Sequence, residues 1–304
     1  MTALRFDDRA VLITGAGRGL GRGYAKLLGR LGAHVTVNDF GGELDGSGES
    51  PGPARAVADE IVAEGGRAVA NTGSVTSDQD VKAMIDQTLD EFGRIDAVIC
   101  NAGILDNRLF GDYETEDVRR VMEVHFFGTL RVNRAAWPHL KKAGYGRIVN
   151  TTSSGMFGWE NNSAYGAAKG AILGMTNNIA LEGAQHGIKA NCVAPSAATR
   201  MLTGAVSDPA QLKAMEAAMP PGLAAPAVAY LAHEDCHLTG TVLSAGGGHV
   251  HRWVVHQTQG YVNRDLTVDD VRSNLAKIRD DHTLNEVNAG LEISQILDTL
   301  SEQN

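Results

Sequence analysis

The sequence predicts a doubly wound α/β fold: a parallel seven-stranded sheet with helices on both faces and a C-terminal helical extension. Three observations carry that expectation. Short apolar runs alternate with stretches of helical periodicity from the first residues onward, as parallel strands joined by crossover helices require. Aromatic residues make up 5% of the chain against 43% hydrophobic, so the core must be assembled from Val, Ile, Leu and Ala, which buried parallel strands favour. Glycines number 36 against 8 prolines, which suits many tight strand-to-helix turns.

Residues 11–14 are a short apolar run ending in glycines, and residues 19–31 carry helical spacing. His34–Asn38 reads as the second strand, whereas residues 41–52 are too polar and glycine-rich to be an element. Residues 53–64 then read as a helix, Arg67–Asn71 as a strand and Asp78–Phe92 as a helix. A fourth strand is expected at 95–100, a long helix at 117–140 and a fifth strand at 147–151. A helix around 164–185 and a strand at 189–193 complete a six-strand series. After Pro195 the periodicity weakens; 197–223 is rich in Ala and Met, as helices over a binding cleft would be. Residues 224–231 are expected to be helical, and 241–244 to form a seventh strand ending in Gly246, Gly247 and Gly248. Residues 250–257 are mixed and aromatic, 266–278 resembles a helix opened by Thr267 or Asp269, and 291–300 another short helix. Roughly fifty residues are too few for an independent core. The expected division is a main domain at 1–250 and an extension at 251–304, packing on it or on a partner subunit.

Bulk properties exclude several classes. A formal charge of −9 disfavours a nucleic-acid partner, since phosphate contacts need concentrated Lys and Arg. Cys100, Cys192 and Cys236 are odd in number and far apart, which argues against a disulfide framework and suits a reducing compartment. The opening MTALRFDDRA lacks the apolar run of a signal peptide. No window approaches the roughly 20 apolar residues that cross a bilayer. A soluble, cytoplasmic protein with no membrane partner is expected.

The first strand runs into Thr14-Gly15-Ala16-Gly17-Arg18-Gly19-Leu20-Gly21. Gly15, Gly19 and Gly21 allow a tight turn, a close approach of backbone to a pyrophosphate and close packing of the next helix. That helix, beginning near Leu20, points its first amides at the phosphates. For the glycines alone, a turn without a ligand is an equal reading. Asp39 sharpens the case: it ends the second strand, where a carboxylate accepts hydrogen bonds from both hydroxyls of an adenosine ribose. A 2′-phosphate there would meet like charge, which favours NAD, while Arg18 is the one feature that would attract such a phosphate. Asn101-Ala102-Gly103 follows the fourth strand on the rim where open Rossmann-like sheets bind ligands, and Ser74 and Val75 are candidate adenine-side contacts.

Tyr165 and Lys169 lie four apart in a helical stretch and share a face. A phenol of reference pKa about 10 is a poor base unaided; an adjacent ammonium stabilises its phenolate. The fifth strand ends in Thr151, Thr152, Ser153 and Ser154, which deliver hydroxyls to the same rim. Either feature alone also fits an ordinary surface pair or a helix cap. Together with the glycines and Asp39 they favour the catalytic reading.

TGAGRGLG, NAG, YGAAK and NCVAPSAATRM resemble the motifs of the short-chain dehydrogenase/reductase family. VNDFGG, FGRIDAVICNAGIL, RAAWPHLKKAGYGRIV and LTVDDVRSNLAKI add a closer likeness to the (3R)-hydroxyacyl-CoA dehydrogenase unit of peroxisomal multifunctional enzyme type 2, across nearly the whole chain. The resemblance implies an NAD-dependent enzyme interconverting a secondary alcohol and a ketone, foremost (3R)-hydroxyacyl-CoA and 3-ketoacyl-CoA. A free steroid or other secondary alcohol is the alternative substrate; a catalytically silent NAD-binding scaffold is the alternative of another class. Counting back from Tyr165, the family's catalytic serine falls on Thr152, with Ser153 one residue later. Tyr165 would take the substrate proton, Lys169 would lower its pKa and hold the cofactor ribose, and His125, at the family's asparagine, would anchor a relay water. Pro195 and Thr199 would hold the carboxamide end of the nicotinamide. Met201 and Leu202, on the loop crossing the substrate side, are candidates for an acyl-pocket lid. The resemblance further implies a CoA thioester as small-molecule partner and a homodimer or homotetramer.

His233, Cys236 and His237 cluster without the spacing of a metal site, so no metal is expected. Lys141 and Lys142 read as a solvated helix end, and His249, His251 and His256 as a strand edge or subunit surface.

Overall fold

Strands buried on both faces need apolar side chains at consecutive positions, and this chain supplies them. The computed structural model describes residues 4–199 and 208–287. β1 (Ala10–Thr14), with the sequence AVLIT, and β4 (Ala97–Cys100), with AVIC, are buried throughout. Around them lie β2 (His34–Asn38), β3 (Arg67–Asn71), β5 (Gly146–Thr151), β6 (Ile188–Pro195), β7 (Val242–Gly246) and β8 (His249–Trp253). The sheet order is β3-β2-β1-β4-β5-β6-β7-β8, and the pairs from β3 to β7 are parallel.

Helices cover both faces. α1 (Gly19–Arg30) and α2 (Gly52–Ala63) put Tyr24, Leu28, Val57 and Ile61 into one core, which also takes Val228 and Leu231 from α8 (Ala225–Ala232). The other core holds Met84 and Ile85 of α3 (Asp78–Phe92), Val132 and Leu140 of α5 (Gly128–Ala143), and Ala180 of α6 (Ser163–Gly183). Short α7 (Pro209–Ala218) precedes α8. No helix among the described residues is long and apolar enough to cross a membrane.

Three departures from expectation have local causes. An eighth strand joins the sheet because Gly247 and Gly248, at φ 56° and 80°, form a two-residue turn with both central residues left-handed, which folds β8 back antiparallel. The expected long helix is divided: α4 (Thr115–Met122) passes through a π-helical turn at Glu123–Phe127 before α5 begins. The 266–278 helix is also two pieces, α9 (Val268–Ser273) and α10 (Leu275–Ile278). Thr267 caps the first, accepting from Asp270 N at 3.1 Å, and at the junction the Asn274 amide donates to Asp270 O at 2.9 Å.

The chain divides into two compact units between Arg252 and Trp253. In the second, β9 (His256–Thr258) pairs antiparallel with β10 (Leu284–Glu286), and Thr258 Oγ1 donates to Ile278 O at 2.7 Å. Met201, Leu202 and the expected helix at 291–300 lie outside the described residues.

Candidate active site

From β1 the chain winds first to β2 and β3 on one side, then returns to β4 on the other. Connections leaving in opposite directions open a crevice at the carboxyl ends of β1 and β4, the switch point where such sheets bind ligands. The glycine turn lies there. Gly15 and Gly19 are left-handed, at φ 62° and 50°. A Cβ on Gly21 would stand 2.1 Å from Gly15 O, and one on Gly17 2.8 Å from Asp39 Oδ2. α1 starts at Gly19 with no side-chain cap on its first amides, the arrangement that receives an anion. Thr14 Oγ1 accepts from Asn101 N at 3.1 Å and Ala102 N at 3.2 Å, and Asn101 Nδ2 donates to Gly15 O at 2.9 Å. Asn101-Ala102-Gly103 is thereby tied to the glycine turn. Thr14 and Gly17, both inside the glycine motif, make the bonds that hold the turn to its neighbours.

Asp39 sits where expected, at the end of β2. Its Oδ2 accepts from Gly17 N at 2.8 Å and its Oδ1 from Gly41 N at 2.7 Å. Arg18 turns toward the same corner and donates to Gly42 O at 3.1 Å. Ser74 Oγ pairs with Thr76 Oγ1 at 2.8 Å, while the Val75 side chain is packed against Gly128, so only its backbone can face a ligand. Thr199 reaches back to the glycine turn: a Cβ on Gly19 would stand 3.3 Å from its methyl group. Pro195 ends β6, and Ser196 N next to it donates to Ala245 O at 2.9 Å.

Thr152 and Ser153, the two candidate hydroxyls, have different surroundings. Strand residues alternate in direction, and Thr152 points inward: it is fully buried and its Oγ1 donates to Lys169 O at 2.9 Å. Ser153, one residue on, lies on the Tyr165 side of the turn: a Cβ built on Gly155 would stand 3.6 Å from Ser153 Oγ and 3.2 Å from the Tyr165 ring. Its Oγ also accepts from Gly155 N at 3.1 Å, which fixes the turn that follows. At 3.2 Å from the Tyr165 ring, a Cβ on Gly155 would make a tight contact that would press on the ring.

Tyr165 and Lys169 share the face of α6 that meets β5. Lys169 is 3% exposed and its Nζ donates to Thr151 O at 2.8 Å, 5.4 Å from the Tyr165 ring centre. The expected lowering of the phenol is reversed in the chain by itself. Burial pushes Tyr165 up, opposed by the Ser153 hydrogen bond, and pushes Lys169 down to about 7.

His125 stands in the π-helical turn, 1% exposed, its ring edge-on to Tyr165 at 5.2 Å. Nε2 lies 2.8 Å from Ile104 O and 3.1 Å from Ile104 N, of which one tautomer uses one. Gly103 has no room for a side chain, because its Cβ would meet the His125 ring at 2.4 Å. Burial first, and the nearby Lys169 charge second, push His125 down to about 3, so the imidazole is neutral near pH 7. His125 Nδ1 and Thr151 Oγ1 are buried with no hydrogen-bond partner among the described residues. These unpaired atoms and the glycines that no side chain could replace fit a bound dinucleotide and water.

Elsewhere, both ring nitrogens of His233 are engaged, by Arg5 O at 2.9 Å and Asp235 N at 3.1 Å. All three cysteines are free and buried.

Residues 9–210 match the short chain dehydrogenase family model. The chain is 41% identical to peroxisomal multifunctional enzyme type 2 of mouse over 282 residues, covering 91% of this chain and 37% of that one. Among solved structures, full-length peroxisomal multifunctional enzyme type 2 from Drosophila melanogaster superposes with a TM-score of 0.81 at 30% identity, over 99% of this chain and 50% of that one. A 7α-hydroxysteroid dehydrogenase complexed with NADH and 7-oxo glycochenodeoxycholic acid gives 0.72 at 28% identity, over 82% and 98%. The chain therefore spans half or less of the two multifunctional enzymes.

Proposed function

The chain belongs to the short-chain dehydrogenase family, and from that premise we propose an NAD-dependent oxidoreductase that interconverts (3R)-hydroxyacyl-CoA and 3-ketoacyl-CoA. The observation that carries the redox reading is the Ser153–Tyr165 pair on the rim of the crevice, with Lys169 one helical turn behind it. Ser153 donates to the substrate oxygen, and Tyr165 receives the alcohol proton. Lys169 supplies the positive charge that offsets the developing phenolate, and His125 Nδ1 is free to hold the water that carries the proton onward.

The residues that would hold the cofactor are the backbone of Gly15, Gly19, Leu20 and Gly21, the Asn101–Gly103 segment, Lys169, Pro195 and Thr199. When bound, the oxidised nicotinamide supplies the hydride acceptor. The choice of NAD rests on Asp39, whose carboxylate occupies the ribose corner while Arg18 is engaged by a carbonyl. The NADH in the related hydroxysteroid dehydrogenase is consistent with that choice. The thioester rests on the likeness to the multifunctional enzymes. A steroid alcohol is the second reading, favoured by that same neighbour's bile-acid ligand. A silent scaffold has no use for a seryl–tyrosyl pair backed by a buried lysine. Self-association as a homodimer or homotetramer belongs to the same proposal, and light scattering checks it.

The cofactor assignment is tested by kcat/KM with NAD and with NADP for the wild type and Asp39→Ala. NAD is expected to be preferred, with the preference lost in the variant. Equal use of NADP by the wild type contradicts the assignment.

A further inference from the structure

Resting on the cofactor site proposed above, we infer that residues 40–50 are a strap over the crevice, latched to the segment after β4, and that the latch holds the bound dinucleotide in place. The sequence reads this stretch as a polar, glycine-rich linker. The structure gives it a defined course. Ser50 N donates to Phe40 O at 3.0 Å and closes its neck; Glu43 N donates to Ser47 O at 2.7 Å and closes its tip. The near side is tethered at the phosphate turn, through Asp39 to Gly41 N and Arg18 to Gly42 O. The far side is tethered across the crevice, where Leu105 N donates to Leu44 O at 2.8 Å.

Topology says what the strap crosses. β2 and β4 flank β1, so a segment rooted at the end of β2 and fastened after β4 passes over the end of β1. That is where the glycine turn sits. A dinucleotide lying along the turn has to enter and leave beneath it. The far-side closure includes the Leu105–Leu44 hydrogen bond, and Gly46 lies close against the next residue back: a Cβ on it would stand 3.1 Å from Ile104 Cγ2. A loop held by backbone hydrogen bonds at the protein surface is the kind of element that opens locally to release product.

Two glycines separate latch from loop. Gly46 and Gly48 are both left-handed, at φ 89° and 71°, so a side chain strains either backbone alike. Only the side chain at Gly46 meets Ile104; at Gly48 nothing lies within 4 Å. Gly46→Val therefore wedges the latch, and Gly48→Val is its control for strain. Release of NADH, chased with excess NAD and followed by stopped-flow fluorescence, should be faster in Gly46→Val by on the order of ten-fold, the scale of one lost hydrogen bond. Exchange of the Leu105 amide in the NADH complex should quicken with it, while Gly48→Val stays near the wild-type rate in both readings. Melting curves establish that each variant is folded; if Gly46→Val is not, Gly46→Ala is read the same way. Wild-type release in a folded Gly46 variant, or equal acceleration at both positions, overturns the latch. A wild-type protein that binds no NADH overturns the cofactor site itself, a result distinct from either.

Discussion

In the proposed site, a charge held in the interior sets the proposed chemistry against the stability of the fold. Lys169 is buried with one hydrogen bond recorded to its ammonium, and burial drives its pKa down to about 7. A methionine of similar shape removes the desolvated charge. Lys169→Met is expected to raise the stability of the cofactor-free protein near neutral pH by on the order of 1 kcal/mol while abolishing turnover. Urea unfolding and a rate assay on the same sample check both halves. Ser153→Ala should lower kcat by about 10²- to 10³-fold, as loss of a donor to a developing oxyanion does. Thr152→Val should leave chemistry nearly intact and cost about 1 kcal/mol of stability, because its hydroxyl serves the Lys169 carbonyl. The reverse ranking would return the role to Thr152. His125 adds a pH signature. Its pKa is about 3 in the fold against an ordinary 6.5, so the unfolded chain binds the extra proton between those values. The stability it contributes is complete above pH 6.5 and is lost as the pH falls toward 3. His125→Asn should therefore show a shallower decline of melting temperature over that window than the wild type.

Elements explain which of these features the sequence could announce. β1 and α1 are written in local chemistry: an apolar run, glycines in the left-handed region, then helical spacing. Gly21 tests that unit, since a Cβ would stand 2.1 Å from Gly15 O. Gly21→Ala is expected to abolish NADH binding in a titration and to lower the melting temperature; ordinary binding would show that the turn is not the phosphate site. The π-helical turn at Glu123–Phe127 was not legible, because its residues are ordinary helix formers. What demands the extra residue is tertiary: His125 must reach Gly103 and the Ile104 backbone. The hydroxyl register is hard to read in sequence for a related reason. Four hydroxylated residues in a row look alike in sequence, and only the alternation at the end of β5 decides which one faces Tyr165. β8 escaped notice because its strand signal is short and its cause is the turn at Gly247 and Gly248, which reads as a mere strand end. The 40–50 loop was legible as flexible composition, but its tethers come from Arg18 and Leu105, remote in sequence.

At the scale of the whole molecule, the order β3-β2-β1-β4-β5-β6-β7 is the fact from which the rest follows. It opens the crevice, brings Asp39, the glycine turn and Asn101–Gly103 around it, and sets Ser153, Tyr165 and Lys169 on the neighbouring rim. Its parallel topology was legible because aliphatic runs alternate with helices so regularly. Assembly of the site follows from strand order, which local patterns do not encode. The most direct test of the account is reduction of NAD, followed by nicotinamide absorbance, with (3R)- and (3S)-hydroxyacyl-CoA, the matching free acids and a free hydroxysteroid, in the wild type and Tyr165→Phe. NAD reduction by the 3R thioester is expected above all others, falling by at least about 10²-fold in a folded Tyr165→Phe protein. Preference for the 3S thioester, or substantial activity without the Tyr165 hydroxyl, would contradict it.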